Sequence, residues 1–353
     1  MLEDKKPQLT PVSALGEFGL IKHLTEQFGL ANETTEVGVG DDGAVINPAG
    51  KRIIISTDTL AEGVHFNLGY VPLKHLGYKA VIVNLSDIAA MNATPTQILV
   101  SVAASNRFPV EAFEEIYAGI ALACRRYNVD LVGGDTTSSQ AGLVLNITAI
   151  GLADEADITK RSGAKPNDLL VVSGDLGGAY MGLQILEREH AVYLANPQMQ
   201  PVMEGYDYVL ERQLKPEART DIKKLLTELE VQPTSMIDIS DGLASEILHL
   251  ADQSKVGFHL YEEKIPLDPQ TIATADELNF NPVTAALNGG EDYELLFTIT
   301  PSDYEKIRNH PDFTVIGHAT ESPISYMVAR GSNELIKLNA QGWDALLNKP
   351  EEE

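Results

Sequence analysis

The sequence predicts an α/β or α+β protein built from two domains. Its 353 residues exceed the usual size of a single domain. Apolar spacings typical of helices and of strands occur in both halves of the chain. A charged, turn-rich segment at residues 154–168 lies between the halves. We therefore predict an N-terminal domain over residues 1–153 and a C-terminal α/β domain over residues 154–353.

In the first half, apolar spacing predicts helices over residues 16–28, 73–91 and 110–127. Strands are predicted over residues 52–57, 97–103 and 143–151. The isoleucine run in the strand 52–57 favours burial, which would place Asp58 at the end of a buried strand.

In the second half, apolar runs predict strands over residues 169–173, 293–300 and 313–317. Helices are predicted over residues 177–188, 216–230, 241–253 and 301–309, the last with proline in its first turn.

The composition excludes several classes of function. Lysine and arginine number 26 against 51 aspartate and glutamate residues, which gives a formal net charge of −25. Such a surface repels nucleic acids and anionic membranes.

The single cysteine, Cys124, lies in an apolar stretch, so we expect it to be buried. With no apolar segment of membrane-spanning length, we expect a cytoplasmic protein in a reducing compartment.

Five short acidic segments, each following an apolar run, are the strongest functional signal. They place aspartate beside serine, threonine, asparagine or glycine, and they are 40–43 (GDDG), 56–59 (STDT), 84–87 (NLSD), 133–136 (GGDT) and 238–242 (DISDG). Carboxylate and hydroxyl oxygens are ligands that Mg²⁺ prefers. If the five segments converge, they form a site for several Mg²⁺ ions, which suits phosphoryl transfer between two anions.

Each segment also has a structural interpretation. Residues 38–43 match G-x-G-x-x-G, but two aspartates stand where a dinucleotide pyrophosphate would bind, so a Rossmann site is disfavoured. Asp58 could cap a turn, Asp87 could be an ordinary polar helix residue, and Asp238 with Asp241 could cap a helix. The segment 173–178 (SGDLGG) could cradle a phosphate or form a tight structural turn, and the two alternatives are equally supported.

Taken together, the motifs resemble those of the thiamine-monophosphate kinase family. The resemblance extends in order over most of the chain and rests on GVGDDGAVI, ISTDTLAEGVHF, KAVIVNLSDIAAMNATP, LVGGDTTSS, TKRSGAKPNDLLVVSGDLG, RQLKPEAR, IDISDGLASEI and LNGGEDYELLFTI. It implies ATP-dependent phosphorylation of thiamine monophosphate to thiamine diphosphate. It also implies a homodimer in which the N-terminal domains pair through their sheets, a cytoplasmic enzyme of thiamine biosynthesis, and an active site in a cleft between the domains.

The resemblance also assigns roles to individual residues. The implied Mg²⁺ ligands are Asp42, Ser56, Thr57, Asp58, Asp87, Asp135, Asp238 and Asp241, of which Asp58, Asp87, Asp135 and Asp241 are the implied catalytic residues. The implied ATP contacts are Tyr117, Gly134, Asp135, Arg161 and Ser240. His65, Glu291 and Trp343 are expected to face the thiamine portion.

Two alternatives stay open at this point. One is another ATP-dependent synthetase of the same superfamily, similar to aminoimidazole ribonucleotide synthetase. A selenophosphate synthetase is disfavoured, because it would be expected to have a reactive cysteine or selenocysteine near the N-terminus and this sequence has none there. The other is a non-catalytic acidic protein that binds divalent metal ions. Nucleotide binding that depends on Mg²⁺ would separate an enzyme from such a protein.

Overall fold

The computed structural model describes residues 9–39 and 43–340, with residues 16–18 described by their main chain alone. Its α-helices are α1 (Gly16–Thr25), α2 (Leu73–Ala90), α3 (Val110–Tyr127), α4 (Gly178–Ala195), α5 (Asp207–Leu214), α6 (Asp221–Glu228), α7 (Leu243–Ser254), α8 (Pro269–Glu277), α9 (Pro282–Asn288) and α10 (Tyr304–Ile307). Its strands are β1 (Thr35–Val37), β2 (Val45–Ile46), β3 (Arg52–Ala61), β4 (Thr94–Ala104), β5 (Asp130–Ser138), β6 (Val144–Ala153), β7 (Leu169–Ser173), β8 (Ser235–Asp238), β9 (Gly257–Tyr261), β10 (Leu295–Ile299), β11 (Phe313–Thr320), β12 (Tyr326–Val328) and β13 (Leu335–Lys337).

The chain divides into two compact units, which confirms the prediction of a two-domain α/β protein. The first unit comprises Met1–Asn84 and Pro95–Gly151, and the second comprises Leu85–Thr94 and Leu152–Glu353. The last turns of α2 therefore belong to the second unit.

The first unit contains a four-stranded sheet in the order β3-β6-β4-β5, in which β4 and β5 are parallel. Helix α3, predicted over the same residues, buries one face that includes Phe113, Ile116 and Ile120. Its acidic first turn and basic last turn complement the helix dipole. The helix ends at Asn128, whose left-handed conformation (φ 55°) is a common way of stopping a helix.

The prediction of a buried strand ending at Thr57 is wrong. Strand β3 continues to Ala61, so Asp58 lies within it, and Ile53 and Ile55 are 49% and 64% exposed. The isoleucines are exposed because β3 lies at the edge of its sheet. Its side chains alternate between a partly covered face and an open face. Strand β5 was not predicted, and Asp135 lies inside it and not at a strand end.

The second unit is built on a seven-stranded sheet in the order β13-β12-β9-β11-β7-β10-β8. On one face, Val172 and Leu296 pack in a core with Ile247 of α7. On the other face, Val171 and Phe297 pack with residues of α6 and the end of α2. Because the central strands are covered on both faces, they have continuous apolar sequences and not alternating ones, which made β7 and β10 recognisable.

Several element boundaries in the second unit differ from the predictions. The helix predicted over 216–230 is confined to α6. The preceding helix α5 ends at Leu214 because Pro216 disfavours a helical conformation at Lys215. Strand β10 begins at Leu295 because Tyr293 has a left-handed backbone (φ 52°). Helix α4 extends to Ala195, seven residues beyond its predicted end at residue 188. The helix predicted over 301–309 is instead a 3₁₀ turn followed by the short helix α10. Helices α5, α8 and α9 were not predicted.

Two predictions from composition can be compared directly with the structure. Cys124 is buried, as expected, and burial raises the pKa of its thiol to about 12, so it is unreactive near neutral pH. Among the residues that the structure describes, no helix has both the length and the apolar character needed to cross a membrane.

Candidate functional site

Strand β3 presents two of the predicted ligands on one face and the third on the other. Ser56 and Asp58 lie on the partly covered face, whereas Thr57 lies on the exposed face. The Thr57 hydroxyl donates to the carbonyl oxygen of Ile147 (3.1 Å). A cation bound by the side chains of Ser56 and Asp58 would therefore meet Thr57 through its main chain only.

Asn84 of α2 fixes the strand at Asp58. Its side-chain oxygen accepts a hydrogen bond from the Asp58 amide (2.9 Å), and its amide group donates to the carbonyl of Ala80 (3.0 Å). Asn84 is buried, so both ends of its side chain are committed to holding the strand and helix together. Asn84 belongs to the acidic segment 84–87 but was given no role of its own in the sequence analysis.

Strand β5 places Gly134 and Asp135 opposite Val100 and Ser101 of β4. A Cβ atom at Gly134 would lie 1.8 Å from the carbonyl oxygen of Val100, so the close approach of the two strands by itself requires glycine. Asp135 is exposed, and its side chain is accessible to a ligand.

Tyr117 lies in the core beneath this segment. Its side chain is 5% exposed, packs edge-on to Phe28 and forms a hydrogen bond with Thr136. Burial raises the pKa of its hydroxyl to about 12. These contacts give Tyr117 a packing role next to Asp135, and its predicted contact with ATP stays a prediction.

His65 closes the turn that follows β3. Its Nδ1 atom accepts a hydrogen bond from the Ala61 amide (3.1 Å), so the neutral ring has its proton on Nε2. The residue is exposed, which fits a predicted contact with substrate as well as a structural role in the turn.

The acidic segments 84–87 and 238–242 meet through residues of the second unit. The hydroxyl of Ser86 donates to the carboxylate of Asp238 (2.6 Å), and both side chains are buried. Asp238 is the last residue of β8, and Asp87 follows Ser86 on α2. The end of α2 and the end of β8 therefore bring two predicted ligands into one region.

Glu246 is a buried acid of this region that the sequence analysis missed. It is 2% exposed, and its carboxylate accepts a hydrogen bond from the Asp241 amide (2.9 Å) at the start of α7. Burial raises the pKa of its carboxyl group to about 8, and the negative charges of Asp238 and Asp241 raise it further. The hydrogen bond from the Asp241 amide and the positive charge of Arg161 oppose this rise. Its position on the apolar face of α7, beside Leu243 and Ile247, was the available signal of burial.

The loop of Arg161 is held by the other end of α7. The hydroxyl of Ser254 accepts hydrogen bonds from the amides of Gly163 (3.1 Å) and Ala164 (3.2 Å) and donates to the carbonyl of Arg161 (3.2 Å). Arg161 itself is exposed, and its charge acts on Glu246. One helix thus orders both the Ser240–Asp241 turn and the arginine loop.

Ser240 and Glu291, predicted to contact different substrates, are joined through their main chains. The Glu291 amide donates to the carbonyl of Ser240 (2.7 Å). Gly290 lies so close that a Cβ atom there would be 2.5 Å from the same carbonyl. The side-chain amide of Gln213 donates to the Glu291 carboxylate (2.8 Å).

The segment 173–178 has a structural role. Both carboxylate oxygens of Asp292 accept a hydrogen bond from the amide of Gly177, which precedes α4 (2.8 and 3.1 Å). The anion at this helix start is thus supplied by the chain itself, which favours the tight structural turn over a phosphate cradle.

The predicted metal ligands divide between the two units. Ser56, Thr57, Asp58 and Asp135 belong to the first, and Asp87, Asp238 and Asp241 belong to the second. Within residues 9–39 and 43–340, no three histidine, cysteine or acidic side chains are close enough to hold a metal ion. Asp42 and Trp343, like Asp41, lie outside the described residues.

The chemistry of the donor set nevertheless fits Mg²⁺. All the predicted ligands offer hard oxygen atoms. The carboxylates of Asp238 and Asp241 both raise the pKa of Glu246, so negative charges crowd one another there. A divalent cation would relieve this repulsion.

Comparison with known proteins defines the class of the chain. Residues 40–153 match the family described as AIR synthase related protein, N-terminal domain. Solved structures share the fold over most of the chain. A thiamine-monophosphate kinase from Stenotrophomonas maltophilia has a TM-score of 0.77 and 27% sequence identity, and the match covers 91% of this chain and 98% of that one. AaThiL complexed with AMPPCP and TMP has a TM-score of 0.70 and 30% sequence identity, and the match covers 95% of this chain and 99% of that one.

Curated relatives define the family within that class. The chain is 33% identical to the thiamine-monophosphate kinase of Bacillus subtilis, over 94% of this chain and 99% of the relative. It is also 33% identical to that of Aquifex aeolicus, over 93% and 97%. The chain belongs to the thiamine-monophosphate kinase family, as the motifs predicted.

Proposed function

We propose that this protein transfers the γ-phosphate of ATP to thiamine monophosphate, giving thiamine diphosphate and ADP. The observation that supports this most strongly is the similarity over nearly the whole chain to AaThiL complexed with AMPPCP and TMP. AMPPCP is an analogue of ATP, so that complex has the two kinds of ligand that the reaction requires.

We assign the predicted residues to the two substrates. Gly134, Arg161 and Ser240 bind ATP, with Tyr117 supporting the strand that contains Gly134. The guanidinium of Arg161 suits a phosphate because it donates paired hydrogen bonds to an anion. His65, Glu291 and Trp343 bind the thiamine portion, where a carboxylate and an aromatic face both complement a flat cationic ring.

The predicted oxygen ligands would hold Mg²⁺. The predicted ligands are Asp42, the main chain of Thr57 with the side chains of Ser56 and Asp58, and Asp87, Asp135, Asp238 and Asp241. When bound, the ions neutralise charge between the two phosphates, whose repulsion costs about 4 kcal/mol per pair of unit charges at 4 Å and intermediate dielectric.

The reaction needs little acid–base help from the protein. The acceptor is a phosphate monoester, whose second pKa is around 6, so its oxygen is largely ionised near neutral pH. We therefore propose direct in-line transfer without a phosphoenzyme intermediate, in which protein side chains orient the two substrates.

A homodimer and a cytoplasmic location belong to the same proposal. The open edge and exposed isoleucines of β3 support pairing of two first units, because exposed strand edges bind other strands. The molecular mass in solution tests the dimer. The single cysteine supports the cytoplasmic location, because a chain that cannot form an internal disulfide is typical of a reducing compartment.

Incubation with ATP, Mg²⁺ and thiamine monophosphate tests the proposed activity. We expect equal amounts of thiamine diphosphate and ADP, and no turnover with a chelator present. Thiamine without its phosphate is the matched control and should give no product. ADP formation only with another acceptor would support a different synthetase of the superfamily, and metal binding without nucleotide turnover would support the non-catalytic alternative.

A further inference from the structure

The segment Gly290–Tyr293, which we call the Glu291 turn, has an unusual backbone. Glu291 (φ 58°) and Tyr293 (φ 52°) both adopt the left-handed conformation, which non-glycine residues seldom do. Two such residues in one short segment are strained, and strain of this kind persists only where surrounding contacts enforce it.

One set of enforcing contacts comes from the two residues that follow β8. The amides of Glu291 and Tyr293 donate to the carbonyls of Ser240 (2.7 Å) and Ile239 (2.9 Å). These hydrogen bonds fix the main chain of the turn.

A second set comes from Arg212 of α5. Its guanidinium donates to the carbonyls of Asp175 (2.9 Å) and Asp292 (3.2 Å) and to the carboxylate of Glu294 (2.9 Å). The Arg212 side chain is largely buried, so these are hydrogen bonds in a region of low dielectric. Arg212 therefore holds the turn through the carbonyl of Asp292.

The next residue of α5, Gln213, contacts the side chain of the turn. Gln213 is 5% exposed, and its Nε2 donates to the Oε2 atom of Glu291 at 2.8 Å. A buried amide that donates to a carboxylate restricts the directions in which that carboxylate can point. Main chain and side chain of the turn are thus ordered by two consecutive residues.

We infer that Gln213 is a positioning residue for recognition of the phosphate acceptor, because it orients the Glu291 carboxylate toward the thiamine portion. This inference rests on the proposed function, in which Glu291 binds that portion. In this proposal Gln213 acts on the acceptor through the side chain of Glu291. Its loss should therefore weaken binding of thiamine monophosphate and leave ATP binding unchanged.

Two substitutions at Gln213 test the inference. Gln213→Ala removes the amide, and Gln213→Met removes it while keeping most of the side-chain volume. We expect each to raise the KM for thiamine monophosphate about five- to twentyfold while the KM for ATP changes less than about twofold. The matched control is Thr271→Val, since among the described residues the buried Thr271 hydroxyl has no hydrogen-bond partner. It should leave both KM values within about twofold.

A double-mutant cycle with Glu291→Ala distinguishes positioning from a general structural effect. In the Glu291→Ala background, adding Gln213→Met should change the KM for thiamine monophosphate less than about twofold. If Gln213→Met raises that KM by the same factor in both backgrounds, or leaves it unchanged in the wild-type background, the inference is overturned. Absence of thiamine monophosphate turnover by the wild-type protein would instead overturn the proposed function, and this inference with it.

Discussion

The two units hold their candidate residues in different ways. In the first unit, Ser56, Asp58 and Asp135 lie within the strands of a sheet, and the buried side chain of Asn84 adds one hydrogen bond at the Asp58 amide. In the second unit, Asp241 lies in a turn that the buried carboxylate of Glu246 holds, and Glu291 lies in a turn that the buried guanidinium of Arg212 holds. A ligand on a strand is positioned by the regular backbone, whereas a ligand in a turn depends on the groups that hold the turn.

This difference predicts different responses to substitution. In the first unit, removing a candidate side chain should reduce activity with little effect on stability. In the second unit, removing a supporting residue should destabilise the fold or change one substrate affinity, because the supporting groups are buried charges and amides.

The largest expected effect is that of Asp58→Ala on turnover. We expect a loss of roughly a thousandfold or more, because an ionised ligand at the reacting phosphates is removed. The thermal midpoint should stay within about 2 °C, since the side chain lies on a partly open face of β3. Steady-state turnover and circular dichroism provide the two measurements. The control is Thr59→Val, because Thr59 lies on the face of β3 opposite to Asp58. If Asp58→Ala is as active as this control, the proposed metal site is contradicted.

The next effect is on stability and concerns Arg212→Met. This change leaves the buried carboxyl groups of Asp292 and Glu294 without their cationic partner. Burial raises the pKa of Asp292 to about 7, and the Arg212 charge opposes that rise. Removing one partner of a buried ion pair typically costs about 3–5 kcal/mol, which urea unfolding would measure. The control, Lys255→Ala, breaks an exposed pair with Asp252 and should have no measurable effect. Equal stability of the two variants would show that buried charges do not hold the second unit.

A smaller effect is the pH dependence that Glu246 confers on the metal-free protein. Its pKa in the folded state is about 8, above the value of an unfolded glutamate, so between about pH 4.5 and pH 8 the folded state binds the extra proton. Stability from this group is therefore complete at low pH and is lost as the pH rises, by at most about 1.4 kcal/mol per pH unit. Urea unfolding at several pH values, with a chelator present, should show this slope in the wild type and not in Glu246→Gln. An identical slope in both proteins would exclude Glu246 as its source.

The sequence predicted well the elements whose apolar pattern is unambiguous. Helix α3 and strand β7 have the predicted bounds, because an amphipathic helix and a fully buried strand are visible in the apolar pattern. The alternation of β3 was missed, since a run of isoleucines does not reveal whether the strand is at the edge of a sheet.

The supporting residues of the second unit could not be predicted for a different reason. Arg212 and Gln213 lie in a short helix, and their partners are about 80 residues away in sequence, so no local pattern connects them. The left-handed backbone of Glu291 and Tyr293 depends on those distant partners. The acidic motifs identified the candidate ligands, but the groups that position them became visible only in three dimensions.

The smallest predicted effect concerns Ser254→Ala and the loop of Arg161. The hydroxyl of Ser254 forms three hydrogen bonds to the main chain of this loop, and it is remote in sequence from Arg161. Its loss should loosen the loop and raise the KM for ATP about three- to fivefold, while the KM for thiamine monophosphate stays the same. The control is Asp252→Ala, at an exposed position of the same helix end. A parallel rise in both KM values would show that α7 supports the second unit as a whole and has no separate role in ordering the arginine for ATP.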